Sequence, residues 1–135
     1  MDDFANKHNI NFNVPTTIIW EGVTNYLTQQ TIDVTFKFIK KFTKGSFIIF
    51  TYINKLVLDN PQSFIGTKNL FKNLKNNEER WTFGFKPDEL SSYLLQFDLT
   101  LLEDLGADEY RAKYMSDRKK ILKGYEFYRV AFATK

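Results

Sequence analysis

The stretch Thr16-Thr17-Ile18-Ile19-Trp20-Glu21-Gly22-Val23-Thr24-Asn25-Tyr26-Leu27 constrains this chain more than any other part of it. A short run of β-favouring and apolar residues ends in a carboxylate and a glycine, with a tyrosine soon after. Consecutive apolar residues without alternation predict a strand over Thr16–Trp20 that is buried on both faces, as in a parallel sheet. Thr28 is a suitable N-cap for a helix running to about Phe42. Ligands of open α/β sheets lie outside the carboxyl ends of the strands, so an acid at that point is a candidate ligand contact.

The following residues extend the pattern. Ile32, Thr35, Phe36, Ile39, Phe42 and Thr43 share one face of the predicted helix, and Lys37, Lys40, Lys41 and Lys44 supply much of its wet side. Gly45 stops the helix, and Ser46–Ile53 predicts a second buried strand, which completes a right-handed βαβ unit over residues 16–53. Residues 1–15, polar and rich in asparagine, read as a leader that is either a connection or a frayed end. Residues 54–80 read as a cover segment, irregular apart from a helix from Pro61 to Leu74; long excursions of this kind often act as lids. Lys86-Pro87-Asp88-Glu89 starts a further helix with an apolar stripe of Leu90, Tyr93, Leu94 and Phe97. A strand over Leu99–Leu105, a short helix over Asp108–Met115 and a partly exposed or antiparallel strand over Phe127–Ala133 complete residues 81–135.

Composition removes several classes of function. A chain of 135 residues has the length of one domain. It has no cysteine, hence no disulfide and no thiolate metal site, which fits a cytoplasmic protein. The acidic, polar start predicts no signal peptide, and no apolar run approaches the ~20 residues needed to span a bilayer, so no membrane partner is expected. The net charge is +3, but sixteen acids are interspersed with the nineteen bases, and no nucleic-acid partner is expected either. Lys119, Lys120 and Lys123, near Tyr125 and Tyr128, mimic a nucleic-acid patch and read as a solubilising surface. The lone His8 lies in the leader and takes no role; no metal site is expected.

Four blocks, in this order, resemble the leucine carboxyl methyltransferase-like family of S-adenosylmethionine (SAM)-dependent methyltransferases. They are P-T-T-I-I-W-E-G-V-T-N-Y-L, K-G-S-F-I-I-F-T-Y, W-T-F-G-F-K-P-D-E-L and the L-x-L-x-E-D-L-G strand with Y-R-A-K-Y-M after it. The E-G-V-x-x-Y-L part is the specific one, and the leader N-I-N-F-N-V-P is similar to the loop preceding it in the family. The resemblance implies an α/β fold, the C-terminal half of a class I (Rossmann-like) methyltransferase sheet, with strands four to seven and flanking helices. Its strands would lie in the spatial order four, five, seven, six, with Thr16–Trp20 at an edge. The family's first three strands, its glycine-rich cofactor turn and its ribose-binding acid have no counterpart among these residues, and no G-x-G turn follows any predicted strand. A shortened gene product, a deliberately cut chain and one half of a split enzyme all fit that departure.

The resemblance also assigns candidate residues, each with a plainer alternative. Glu21 would approach the cationic methionine moiety of SAM; otherwise it is a charge favouring a helix's positive end. Gly22 would let the backbone pass close to the cofactor, or is simply a turn glycine. Tyr26 would line the acceptor pocket or pack. Phe83 and Gly84 would border the acceptor site or form a hydrophobic helix entry. Arg111, within an aromatic and basic cluster with Tyr110 and Tyr114, would bind an acceptor carboxylate or be solvated. Trp20 reads as core.

The implied activity is O-methyl transfer from SAM to a carboxyl or other oxygen acceptor, on a small molecule or a protein, with weak or absent SAM binding by this chain alone. A carboxylate acceptor is already nucleophilic, consistent with the lack of a convincingly placed general base. The alternative is a non-catalytic remnant or interaction module that pairs through its sheet edge, as a homodimer or with a separate N-terminal half.

Overall fold

The computed structural model describes residues 1–115 and 123–135. Its four strands, β1 (Thr17–Trp20), β2 (Phe47–Ile53), β3 (Thr100–Gly106) and β4 (Tyr128–Thr134), form one sheet in the order β1-β2-β4-β3. β1 and β2 are parallel, and β4 is antiparallel to both of its neighbours. A mixed α/β sheet with its first strand at an edge and its last inserted in the middle is the arrangement expected from the sequence.

Helices α2 (Gln29–Ile39) and α5 (Pro87–Leu95) cover one face of this sheet. Thr28 caps α2, its side chain accepting from the Thr31 N–H at 3.2 Å. Pro87 opens α5 with Asp88 and Glu89 in its first turn, where acids suit the positive end of the helix. Ile32, Phe36 and Ile39 of α2 and Leu90 and Leu94 of α5 meet Ile48, Phe50, Tyr52, Ala131 and Ala133 of the sheet, all buried. The ring of Phe36 lies at the centre, 5.4 Å from Phe50 and 5.5 Å from Phe97.

The opposite face corrects one expectation. β1 is not covered on both sides: its residues alternate between exposed and half-buried, and Ile19 is 71% exposed. Alternation follows because, at β1, α2 packs on one face, so every second residue turns away from it. By register, Ile19, Ile49 and Phe132 form a row across this open face. Among the described residues, α6 (Ala107–Tyr114) lies against it, through Tyr110 and Tyr114.

Two further segments also differ from expectation. The leader contains a helix, α1 (Asp2–Lys7), in which Ala5 is 4% exposed. The chain is held there because Phe12 wedges edge-on against Phe38 and Phe42, and its carbonyl accepts from the Thr43 N–H at 2.9 Å. Segment 54–80 contains α3 (Leu56–Asp59), a 3-10 turn at Pro61–Ser63 and α4 (Thr67–Asn76). Together with the ends of β2 and β4 it builds a second small core, in which Ile53, Val57, Leu74, Trp81 and Phe127 are buried. Of the basic cluster, Lys119 and Lys120 lie outside the described residues, and Lys123 is exposed.

Candidate functional site at the carboxyl ends of the parallel strands

Because β1 and β2 run parallel, their carboxyl ends open on the same side of the sheet. Trp20 anchors the end of β1, its ring edge-on to Phe36 at 5.6 Å. The side chain is half-buried against the core, close to its expected place. Beyond it the chain leaves the sheet at Glu21, which is exposed.

Gly22 follows at φ +71°, in the left-handed region, with nothing within 4 Å of where a Cβ would stand. Its N–H donates to Oγ1 of Thr51 at 2.7 Å, and the buried Thr24 hydroxyl donates to the Thr51 carbonyl at 2.8 Å. One residue of β2 thus holds both arms of the β1 exit loop. Thr51 was not singled out in the sequence, although a lone threonine within F-I-I-F-T-Y-I was the available signal.

The loop is tied on its other side to residues 79–83. The carbonyl of buried Asn25 accepts from the N–H groups of Thr82 at 2.8 Å and Phe83 at 3.3 Å. The Thr82 hydroxyl donates to the Leu27 carbonyl at 2.9 Å, and the Tyr26 hydroxyl donates to Oε2 of Glu79 at 3.0 Å. Asn25 and Glu79 are therefore further site residues that sequence reasoning missed.

Phe83 is 8% exposed, with its ring edge-on to Phe85 at 4.8 Å, so its side chain belongs to the core beneath the loop. Gly84 passes so close to β2's continuation that a Cβ would lie 2.8 Å from the Ile53 carbonyl and 2.9 Å from the Lys55 Cα. Arg111 lies elsewhere. Its Nε donates to the Ala107 carbonyl and its Nη2 to the Gly124 carbonyl, both at 2.7 Å, and Glu126 is 3.7 Å away. The structure thus brings Glu21, Gly22, Tyr26 and the backbone of Phe83 into one loop system, while Arg111 ties α6 to the entry of β4.

Tyr128, at the start of β4, adds a phenol to this end of the sheet. Burial, reinforced by the neighbouring Tyr26, Tyr125 and Tyr110, pushes its pKa up to about 12. Its ring packs edge-on to Trp81 at 5.6 Å. No group of three or more His, Asp or Glu among the described residues could hold a metal ion. Nor is any helix among them long and apolar enough to cross a membrane.

No family model matches the sequence, and no curated protein matches it. Solved structures do. A DUF574 family protein from Streptomyces avermitilis superposes with a TM-score of 0.67 at 10% identity, over 98% of this chain and 52% of its own. A proposed methyltransferase from Thermobifida fusca superposes with a TM-score of 0.66 at 17% identity, over 99% of this chain and 50% of its own. This chain has their fold. It spans about half the length of each.

Proposed function

We propose that the chain forms strands four to seven of a class I methyltransferase sheet and takes part in SAM-dependent methyl transfer to a carboxyl or other oxygen acceptor. The observation that carries this reading is the pairing of Glu21 and Gly22 at the carboxyl end of a parallel edge strand. There an exposed carboxylate adjoins a left-handed glycine with open space beside it. The fold shared with the T. fusca protein agrees with it.

These residues fit one end of the cofactor. Glu21 would face the cationic methionine moiety, and Gly22 leaves room for a ligand to approach the backbone. The nucleotide end needs a glycine-rich turn, and no G-x-G sequence occurs here. SAM, when bound, supplies an electrophilic methyl group on a sulfonium. The chain's part is then to align an acceptor with it, since orientation alone can supply much of the acceleration. Tyr26, fixed by its bond to Glu79, would border the acceptor. Phe83 would shape the floor under the loop from within the core, and Arg111 would hold α6 in place at the far wall rather than grip the acceptor carboxylate.

Amide chemical shifts recorded during a SAM titration test the reading. Binding is expected to be weak, on the order of millimolar, with perturbations centred on Glu21, Gly22 and Tyr26 and abolished by Glu21→Gln. Shifts absent from this loop at ~10 mM SAM, well above that range, would reject it.

A second reading rests on a separate observation. β1 has one hydrogen-bonded neighbour among the described strands, and beside its free edge Ile19 is exposed. An interaction module that completes its sheet with a second copy, or with a separate chain carrying the other half of the fold, would use this edge.

A further inference from the structure

The two outer strands of the sheet are built differently. β3 is blunted: its register slips between Leu101 and Glu103, and Glu103 carries an ion pair with Lys113. β1 is unbulged and uncharged, and pairs along Thr17–Trp20 with β2 alone among the described strands. The Phe47 N–H donates to the Thr16 carbonyl at 2.9 Å. Backbone groups of successive strand residues point to opposite edges. Those of Ile18 and Trp20 therefore also face β2, and the N–H and C=O of Thr17 and Ile19 face outward. Both residues are exposed, and their backbone groups find no other partner among the described residues.

Beside these groups lies a hollow of about 520 Å³, floored by Ile18 and Trp20 and walled by Phe38 of α2 and Phe4 of α1. No charged side chain lines it, and the hydroxyl of Thr35 is spent on the Thr31 carbonyl at 2.9 Å. A small ligand seated there would leave the outward backbone groups of β1 unpaired. An extended segment satisfies both features at once. Its backbone pairs with Thr17 and Ile19, and every second side chain stands on the face of Ile18 and Trp20. An uncharged, apolar lining makes that side chain apolar too. Each solved structure that shares this fold carries about as many residues outside the superposed part as within it, a source of such a segment.

We propose that β1 receives a strand from a polypeptide carrying the rest of that fold, with a large apolar side chain of the strand seated in the hollow. This rests on the edge-pairing reading above and adds the partner's chemistry to it. Without that strand, the same edge is left to a second copy.

The probe is the acetylated, amidated heptapeptide E-T-V-F-V-T-E, titrated by NMR into Ile19→Lys. That substitution lies on the open face, suppresses self-pairing and leaves the hollow and the backbone in place. With peptide at about ten times its Kd, the amides at positions 17 and 19 are expected to exchange about tenfold more slowly. Those of Ile18 and Trp20, already bonded to β2, should not change. Aspartate in place of the central phenylalanine is expected to weaken binding about tenfold or more, the loss of a buried aromatic ring. Thr35→Phe fills the hollow from the surface of α2 and should weaken the parent peptide similarly, with an unaltered thermal midpoint showing that the fold is kept. The proposal fails if the heptapeptide does not bind saturably, if the aspartate peptide binds as tightly, or if N-acetylphenylalaninamide alone matches the heptapeptide. Equal protection of positions 17 and 19 by both peptides would sink the seated side chain and leave edge pairing standing. Protection by neither, with the parent protein monomeric, would sink both.

Discussion

The hydroxyl of Tyr52 on β2 donates to Oδ2 of Asp104 on β3 at 2.7 Å, reaching across β4, which lies between them. Arg129 of β4 closes the triangle, its Nε 2.9 Å from the Tyr52 hydroxyl oxygen and 3.0 Å from Oδ1 of Asp104. Three strands are locked together at the carboxyl end of β2, next to the candidate site. Tyr52 is 1% exposed, and the Asp104 and Arg129 side chains are 11% and 18% exposed, so water replaces little of what any one of them loses.

Removing the hydroxyl should therefore be felt. Tyr52→Phe keeps the ring in the core but takes one donor from a buried carboxylate, and is expected to destabilise by about 1–3 kcal/mol in urea unfolding. Arg129→Met leaves that carboxylate without its charge partner and is expected to cost about 3–5 kcal/mol. Equal stability of Tyr52→Phe and the parent would show that the hydroxyl contributes nothing net.

The same burial gives a pH dependence. Burial, aided by Asp104, raises the Tyr52 pKa above the ordinary phenol value, and burial with a bond to Asp33 does the same for Tyr93. Tyr128 is raised to about 12. An unfolded phenol releases its proton near pH ~10, whereas these three hold theirs in the folded state. The unfolded form then binds fewer protons, so their stabilisation is fully present below pH ~10 and falls as pH rises through the folded values. Unfolding free energy measured by urea should decline steadily above pH ~10. Tyr128→Phe should flatten the part of that decline lying below about 12; an unchanged slope would remove Tyr128 from the account.

The two glycines of the site predict different responses. Gly84→Ala would place a Cβ 2.8 Å from a backbone carbonyl that cannot retreat as a flexible side chain could. It is expected to cost about 1–3 kcal/mol. Gly22→Ala meets open space but must hold φ +71°, a conformation costing an L-residue about 1–2 kcal/mol. Its burden is strain alone, so Gly22→Asn, which tolerates that region better, should recover part of the loss, whereas Gly84→Asn should recover none. Rescue at both positions, or at neither, would show that the assigned causes are wrong.

Much of the sheet could be read from local pattern because the pattern had local causes. Apolar runs closed by Gly45 and Gly106, the Thr28 cap and the Pro87-Asp88-Glu89 start placed β1, α2, β2, α5 and β3 within a few residues of where they lie. What stayed hidden depends on contacts distant in sequence. The open face could not be seen, because Thr17-Ile18-Ile19-Trp20 reads as buried unless one knows that, at β1, α2 packs on one side. α1 is held by Phe12 against residues 38 and 42, which no short window contains. At the candidate site, Glu21, Gly22 and Tyr26 lie within six residues of one another, so a single sequence window can name them together. Thr51, Asn25 and Glu79 act on that loop across the fold, through bonds that composition and periodicity do not encode. Arg111 carried a signal of residue type alone, and its carbonyl partners at residues 107 and 124 became visible only with the chain folded.

Among the described strands, β1 pairs on one side only and leaves its other edge free. Natural edge strands are blunted by lysine, proline or bulges, and Thr17–Trp20 contains none of these, Pro15 lying just before it. Next to the edge is an apolar hollow of about 520 Å³, floored by Ile18 and Trp20 and bordered by Phe4 and Phe38. Phe4 is 57% exposed and Ile19 71%. Unpaired backbone groups beside that much apolar surface favour pairing with another chain, so the protein is expected to self-associate in sedimentation at low micromolar concentration. The informative substitution is Ile19→Lys. Ile18 packs against the core, and a charge there would damage the fold, whereas the Ile19 side chain points away from the helices and can carry one. Ile19→Lys should return the protein to a monomer with its thermal midpoint nearly unchanged. A parent protein that is already monomeric, with slow amide exchange along residues 17–20, would show the edge to be protected from within and would remove the pairing model.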